Sequence, residues 1–183
     1  MTEPRIPPLT DPDPEVAAVL ETTKILPGPP LNIFATLAHH PRLLKRFNVL
    51  GGLFLGRGLL PARQRELVIL RTAWRTRCEY EFGQHVQLGR RAGLADDEIR
   101  RLTTEDGGWP GDDALLVRLA DEVHETRDVA DPLWSALAER WGQAEILELV
   151  ALAGFYGMVA GILNAARVQR EPGVPGWPGA TAP

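Results

Sequence analysis

A single cysteine, Cys78, stands in the whole chain, which excludes an intramolecular disulfide framework and any zinc site built from several thiolates. Basic charge is not in excess either. The net charge is -4, and arginines alternate with acids in "RQRE" and "DDEIRR", so no general attraction to nucleic acid or to an anionic membrane is expected. The opening "MTEPRIPPLTDPDP" lacks a basic segment followed by an apolar one, so no secretory signal is expected and the default location is cytoplasmic. Glycine-rich phosphate loops, nucleotide fingerprints and a Ser-His-Asp order are also missing, and with them the reason to expect a nucleotide cofactor. No cofactor is expected.

What is present reads as helix. Apolar residues recur with helical period almost throughout and never alternate for long, so the fold class is all-α. With 183 residues, 44% of them hydrophobic, the chain can bury one real core. A short helix is expected over Pro14 to Thr23, then a pair from Leu31 to about Leu55 broken or kinked at Pro41. Pro61 starts the next helix, and another ends near Ala92 before Gly93. "LADDEIRRL" carries acids early and arginines late, matching the helix dipole. Asp112 or Asp113 is expected to cap a helix to about Thr126, "DPLWSALAERW" forms another, and the last covers Gln143 to Val168.

Proline and glycine concentrate at "LPGPP" (Leu26 to Pro30) and at both ends. We therefore divide the chain into an N-terminal arm and short helix (1–30), a helical domain (31–170) and a proline/glycine-rich tail (171–183). Both ends are expected to be extended, either disordered or draped over a neighbour. The run Leu149 to Leu163 carries no charge and approaches the length of a membrane span. A helix buried on all sides in a core or subunit contact fits better with the soluble character of everything around it. A homo-oligomer without membrane or nucleic-acid partners is the expectation. "ELVIL" at Glu66 echoes "ELVAL" at Glu148, and both introduce strongly apolar helices.

The chemistry concentrates in "RCEYEFGQHV", Arg77 to Val86. On a helix, Cys78, Glu81 and His85 share one face. Leu88 continues that face, so it points inward or into a cleft. A thiol at a helix N-terminus feels the positive end of the dipole, and a histidine two turns on can exchange a proton with it. The bland alternative is an exposed Glu81–His85 pair with Cys78 as a small buried hydrophobe. Glu66, in the preceding apolar helix, needs either solvent or a partner; if the two helices pack antiparallel, it meets the stripe. His39, His40 and His124 lack the placement of metal ligands, and no metal is assigned.

The order "LPARQRELVILRTAWRTRCEYEFGQHVQLGRRAGLADDEI" resembles the core motif of the carboxymuconolactone decarboxylase family, which includes the alkyl hydroperoxidase D proteins. Looser likeness extends to "LNIFATLAHHPRLLKRF" and "ELVALAGFYGMVAGILN". The resemblance implies an alkyl hydroperoxidase D-like helical bundle that assembles as a dimer, trimer or hexamer with its site near a subunit interface. It also implies site residues. Glu66, Cys78 and His85 fall on the glutamate, first cysteine and histidine of the peroxidase motif, while Glu81 stands where the second cysteine would be and Tyr80 replaces a histidine. Without a resolving thiol, the dithiol cycle is excluded.

The implied catalytic set is therefore Glu66, Cys78, Glu81 and His85 converging on one cavity, with Tyr80 near its mouth or at a neighbouring subunit and Arg71 (or Arg75) gripping a substrate carboxylate. The favoured activity is decarboxylase-like acid–base chemistry on an unsaturated or lactone carboxylic acid. The alternatives are a thiol peroxidase using Cys78 with an external thiol, as the peroxiredoxin label of the family implies, and a binding protein that only holds a small ligand.

Overall fold

Prolines punctuate the chain. Pro14 sits in the first turn of a helix behind Asp13, whose carboxylate accepts from the Val16 amide at 2.9 Å. Pro41 begins another helix behind His40, and the missing N–H of proline costs nothing there. The computed structural model describes residues 3–23, 28–105 and 108–179. Leu26 and Pro27 of the expected break lie outside the described residues, as do the first two and last four residues of the terminal arms.

Among the described residues there are nine helices and no strand. They are α1 (Pro14–Glu21), α2 (Asn32–Leu37), α3 (Pro41–Gly56), α4 (Ala62–Arg75), α5 (Glu79–Arg91), α6 (Asp96–Arg101), α7 (Gly111–Thr126), α8 (Asp131–Ala138) and α9 (Gln143–Ala166). The all-α class is as expected, and two local details differ. Pro41 separates two helices outright rather than kinking one. Asp112 and Asp113 lie inside the first turn of α7 instead of capping it, because Arg63 Nη1 reaches Asp113 at 2.8 Å and Arg140 reaches Asp112 at 3.4 Å.

The middle of the molecule is α4. Every residue from Glu66 to Ala73 is buried, because α4 packs against α5, α7 and α9 at once. The α4–α5 connection is a tight reversal: Arg77 takes a left-handed φ of 54°, the Cys78 amide donates to the Ala73 carbonyl at 2.8 Å, and Asn164 of α9 donates to the Thr76 carbonyl at 3.0 Å. The two helices therefore run back along each other.

One long helix, α9, is long and apolar enough by length and composition to cross a membrane. Its inner face, including Leu149, Leu152, Tyr156 and Leu163, is buried in the bundle, which is what a core helix requires. Glu148 at its start accepts from the Leu59 and Leu60 amides, whereas its echo Glu66 is wholly buried; the repeated letters serve different ends.

The terminal arms do not hang free. The Arg5 and Ile6 amides donate to the Ala166 carbonyl at 2.8 and 3.3 Å, and the Leu9 amide to Ala35 at 3.0 Å. The C-terminal tail turns back across α5. Neither neighbour nor disorder is needed to account for the described part of these arms.

Arg71 was expected to be a substrate clamp, and the structure corrects that. Its guanidinium is 1% exposed and forks onto Asp121 of α7 at 2.6 and 2.7 Å. Its Nη1 takes the Leu102 and Thr104 carbonyls at 2.9 and 2.7 Å. Four of its five N–H donors are used in this way and the side chain is buried, so Arg71 bolts α4 to α7 and to the turn after α6. Arg75 is likewise engaged by Glu105, Asp121 and Glu125, on a more open surface. Arg71→Met should cost about 3 kcal/mol, because it leaves Asp121 and two carbonyls short of a donor. Arg75→Met should cost under about 1 kcal/mol. Urea unfolding of both variants checks this; equal losses would mean Arg71 is not the anchor.

Candidate active site

A carboxylate in the middle of an apolar helix must find a partner or give up its charge. Glu66 finds two. Its Oε2 lies 2.7 Å from His85 Nδ1 of α5, and its Oε1 accepts from Arg65 Nε at 2.9 Å. Burial pulls the Glu66 carboxyl upward, but His85, by its charge when protonated and by its hydrogen bond, and then Arg65 outweigh it and hold the group below 4.5. An ionised carboxylate only accepts, so the hydrogen must sit on His85 Nδ1. In the neutral imidazole this leaves the Nε2 lone pair as a base. Glu66 and His85 form an oriented dyad.

Glu81 behaves in the opposite way. It is 2% exposed, and neither carboxyl oxygen has a hydrogen-bond partner. Burial drives its carboxyl well above 4.5, and the neighbouring Cys78 thiol offsets only part of that. Glu81 is thus a neutral acid beside a charged dyad. Cys78, fully buried at the head of α5, is pushed up to about 12, first by burial and then by the neighbouring Glu81 carboxyl, which opposes a second charge beside it. The dipole of the helix N-terminus does not rescue the thiolate.

Tyr156 of α9 was not anticipated. Its ring meets the His85 ring edge-on, with centroids 5.0 Å apart at 90°, and its phenol is raised, first by burial and then by the neighbouring Glu81 and Glu66 carboxyls. Arg65 was also overlooked. In the sequence Tyr156 is one apolar letter in an uncharged run, and only the α5–α9 contact makes it part of the site. The four expected residues Glu66, Cys78, Glu81 and His85 lie in one buried region, tied to each other by the dyad contact and by the electrostatic coupling of Cys78 to Glu81.

Tyr80 is placed elsewhere, which corrects its assignment to the mouth of the site. Its hydroxyl donates to Glu171 of the tail at 2.8 Å and accepts from the Ile33 amide at 3.2 Å, since residue 80 lies about 100° round α5 from residue 81 and about 140° from residue 85. Burial and the Glu171 charge raise its phenol well above 10. Of the remaining histidines, His39 contacts the Pro7 carbonyl and His40 caps α3.

The four residues expected to converge on one cavity are enclosed by the surrounding helices. Two surface clefts, of about 450 and 350 Å³, are lined by residues of α1 with α3 and by residues of the N-terminal arm with α1 and Pro29–Pro30; neither touches the cluster. Glu66, Cys78, Glu81 and His85 are all closed off, with His85 the most exposed at 7%.

Residues 41–128 match the carboxymuconolactone decarboxylase family. This segment belongs to that family. The match takes in α3 to α7, and so the whole dyad, Cys78 and Glu81. No curated protein matches the sequence. Among solved structures, an uncharacterized peroxidase-related protein from Silicibacter sp. TM1040 superposes with a TM-score of 0.79 at 18% identity, covering 95% of this chain and 97% of its own. A protein of unknown function from Agrobacterium tumefaciens, described as a putative antioxidant defence protein AhpD, gives 0.68 at 20% identity over 74% of this chain and 94% of its own. The debrominase Bmp8, in a complex with 2,3,4-tribromopyrrole, gives 0.70 at 15% identity over 91% of each chain. At these identities the likeness speaks for the fold, which is alkyl hydroperoxidase D-like.

The two buried carboxyls bend the stability profile in opposite senses. Glu81 titrates higher folded than unfolded. Its contribution is fully present below 4.5 and is lost as pH rises toward the higher folded value. Glu66 titrates lower when folded, so its contribution is present above 4.5 and is lost as pH falls through the folded value. Melting temperatures measured between about pH 5 and 8 should therefore move in favour of Glu81→Gln relative to the parent as pH rises. A pH-independent difference would mean that Glu81 is ionised in the folded protein.

Proposed function

We propose that this protein is a small-molecule enzyme that transfers protons on an unsaturated or lactone carboxylic acid, in the manner of a decarboxylase. Membership of the family supports a small-molecule enzyme or peroxidase-like role, and one observation favours proton transfer. The site sets an ionised, oriented Glu66–His85 dyad beside a neutral Glu81 whose oxygens have no partner. Two titratable groups whose environments push them apart divide the work into acid and base.

In this reading the C–C bond to the substrate carboxylate breaks, CO2 leaves, and the electron pair moves into the conjugated carbonyl system. Glu81 delivers a proton to the resulting carbanion, and His85 Nε2 returns a proton from solvent to the site. Glu66 holds the imidazole in the tautomer that allows this. The ring ligand in the Bmp8 complex is compatible with a small unsaturated ring as occupant.

The peroxidase-related descriptions of the structural neighbours suggest the rival, a thiol peroxidase. Against it stand the single cysteine and a thiol raised to about 12, since peroxide is attacked by the thiolate. Incubation with 4-carboxymuconolactone, following CO2 release and ultraviolet absorbance, tests the proposal. His85→Gln and Glu81→Gln should each lower kcat by about 10²–10⁴ with the circular dichroism spectrum retained, and Cys78→Ser should keep most of the rate. Thiol-dependent peroxide consumption that vanishes in Cys78→Ser would give the function to the rival. No turnover of either kind would favour a ligand-binding role.

We also infer a homo-oligomer. Leu147, Ala151, Gly154, Met158, Gly161 and Ala165 are all exposed on α9, at alternating spacings of four and three, in a helix without charge from Leu149 to Ala166. Leu50 and Leu53 of α3 are exposed as well, and the adjacent Gly51 and Phe54 pack on Phe155 of α9. Together they make an apolar surface of the kind that associates. Met158→Glu should convert the assembly to monomer in sedimentation at micromolar concentration; a parent protein that is already monomeric there would sink the idea.

A further inference from the structure

The tail after α9 binds the face of α5 opposite the cluster. Glu171 gathers three neutral donors: the Asn32 amide at 2.7 Å, the Tyr80 hydroxyl at 2.8 Å and the Gln84 side-chain amide. Arg170 pairs with Glu79 at 3.5 Å and donates to the Val174 carbonyl at 2.8 Å. The Trp177 amide donates to Glu79 at 3.2 Å, and its ring packs on Phe82 with centroids 4.8 Å apart. Between these anchors the strand of tail lies so close that a Cβ on Gly83 would overlap the Pro175 carbonyl oxygen and crowd the Val174 side chain. Glycine costs helix stability at a mid-helix position, and here the close backbone approach accounts for it.

The anchors Glu79, Tyr80, Phe82, Gly83 and Gln84 alternate along the same two turns with Cys78, Glu81 and His85. One face of α5 is therefore the wall of the buried cluster, and the other is gripped by the tail. The cluster is closed, so any ligand requires a wall to move. Helix α4, packed against three neighbours, cannot move without breaking the core. Helix α5 has the bundle on one side and the tail on the other, and the tail holds by a few polar contacts and one ring, the kind of segment that opens at low free energy.

We propose that the C-terminal segment Arg170–Gly179 is a releasable latch that holds α5 closed over the Glu66–His85 site, and that its release admits ligand. The groove on α5 takes an extended proline- and tryptophan-containing peptide with a carboxylate at its head, which in this structure is the chain's own tail. The inference concerns access to the site named above and rests on that site being a working one, but its test needs no substrate and holds for any reaction.

The buried Cys78 thiol serves as reporter, through its alkylation by iodoacetamide. Gly83→Ala lifts the latch while raising the intrinsic helix propensity of α5. Gly52→Ala, on open surface of α3 with no atom within 4 Å of the added carbon, controls for that propensity. Gly83→Ala should alkylate about tenfold faster than the parent, the change expected from losing roughly one charge-assisted hydrogen bond of closure, and Gly52→Ala should not. A chain ending at Gln169 should behave like Gly83→Ala, and a synthetic peptide of residues 170–179 added to it should restore protection. Equal alkylation of parent, Gly83→Ala and the shortened chain, with all three folded by circular dichroism, would overturn the latch. So would a rise no larger than that of Leu137→Ala, a core change in α8 that lowers global stability without touching α5. If the shortened chain does not fold, the Gly83→Ala and Leu137→Ala comparison decides alone.

Discussion

The ionised carboxylate of Glu66 is the constraint around which the rest is arranged. It has no solvent exposure and sits in the most enclosed helix of the molecule. A lone charge there would be untenable. Its two partners come from different places. Arg65 is the adjacent residue, and His85 is nineteen positions on, so the second contact exists only if α5 folds back along α4. The tight reversal at Arg77 and the tie from Asn164 to that turn serve the same registration. Pairing the charge and orienting the imidazole are one event.

Around this dyad the same low-dielectric surroundings act with opposite results on two glutamates. Glu66 stays charged because a cationic group and a hydrogen-bond donor face it. Glu81, as deeply buried, faces no cation and only the weak thiol donor of Cys78, and so keeps its proton. The sulfur of Cys78 is governed by the same logic: burial and a neighbouring acid leave it as a thiol. A helix N-terminus lowers a thiol only where the charge it favours can also be solvated. The division into acid, base and silent thiol thus comes from neighbours, since two of the groups are chemically identical.

The arginines and arms are occupied with holding the frame. Arg71, Arg63 and Arg75 bridge α4 to α7 and to the segments around α6, while the N-terminal arm closes on the C-terminal end of α9 and on α2 and the tail closes on α5. Charge near the dyad in sequence is therefore scaffold in space. The cluster keeps its shape because the helices that carry it are cross-braced from behind.

Much was legible in the residues alone. Helical period, proline positions and the spacing of Cys78, Glu81 and His85 are local properties, and they determined the all-α class, most helix boundaries and the shared face of three site residues. The motif order brought in Glu66. What stayed hidden depended on partners distant along the chain. Tyr80 and Glu81 are adjacent letters, but a turn of about 100° per residue sends one to the tail and the other to the site. Arg71 looked like a free carboxylate clamp because Asp121, its partner, lies fifty positions away. Tyr156 was one apolar residue among many until α9 crossed α5. The Cys78 thiol, judged from its helix end alone, should have been low, and enclosure by groups from other helices reversed the sign. Spacing along a helix decides which side chains share a face, whereas burial, pairing and protonation are set by whatever the other helices bring to that face.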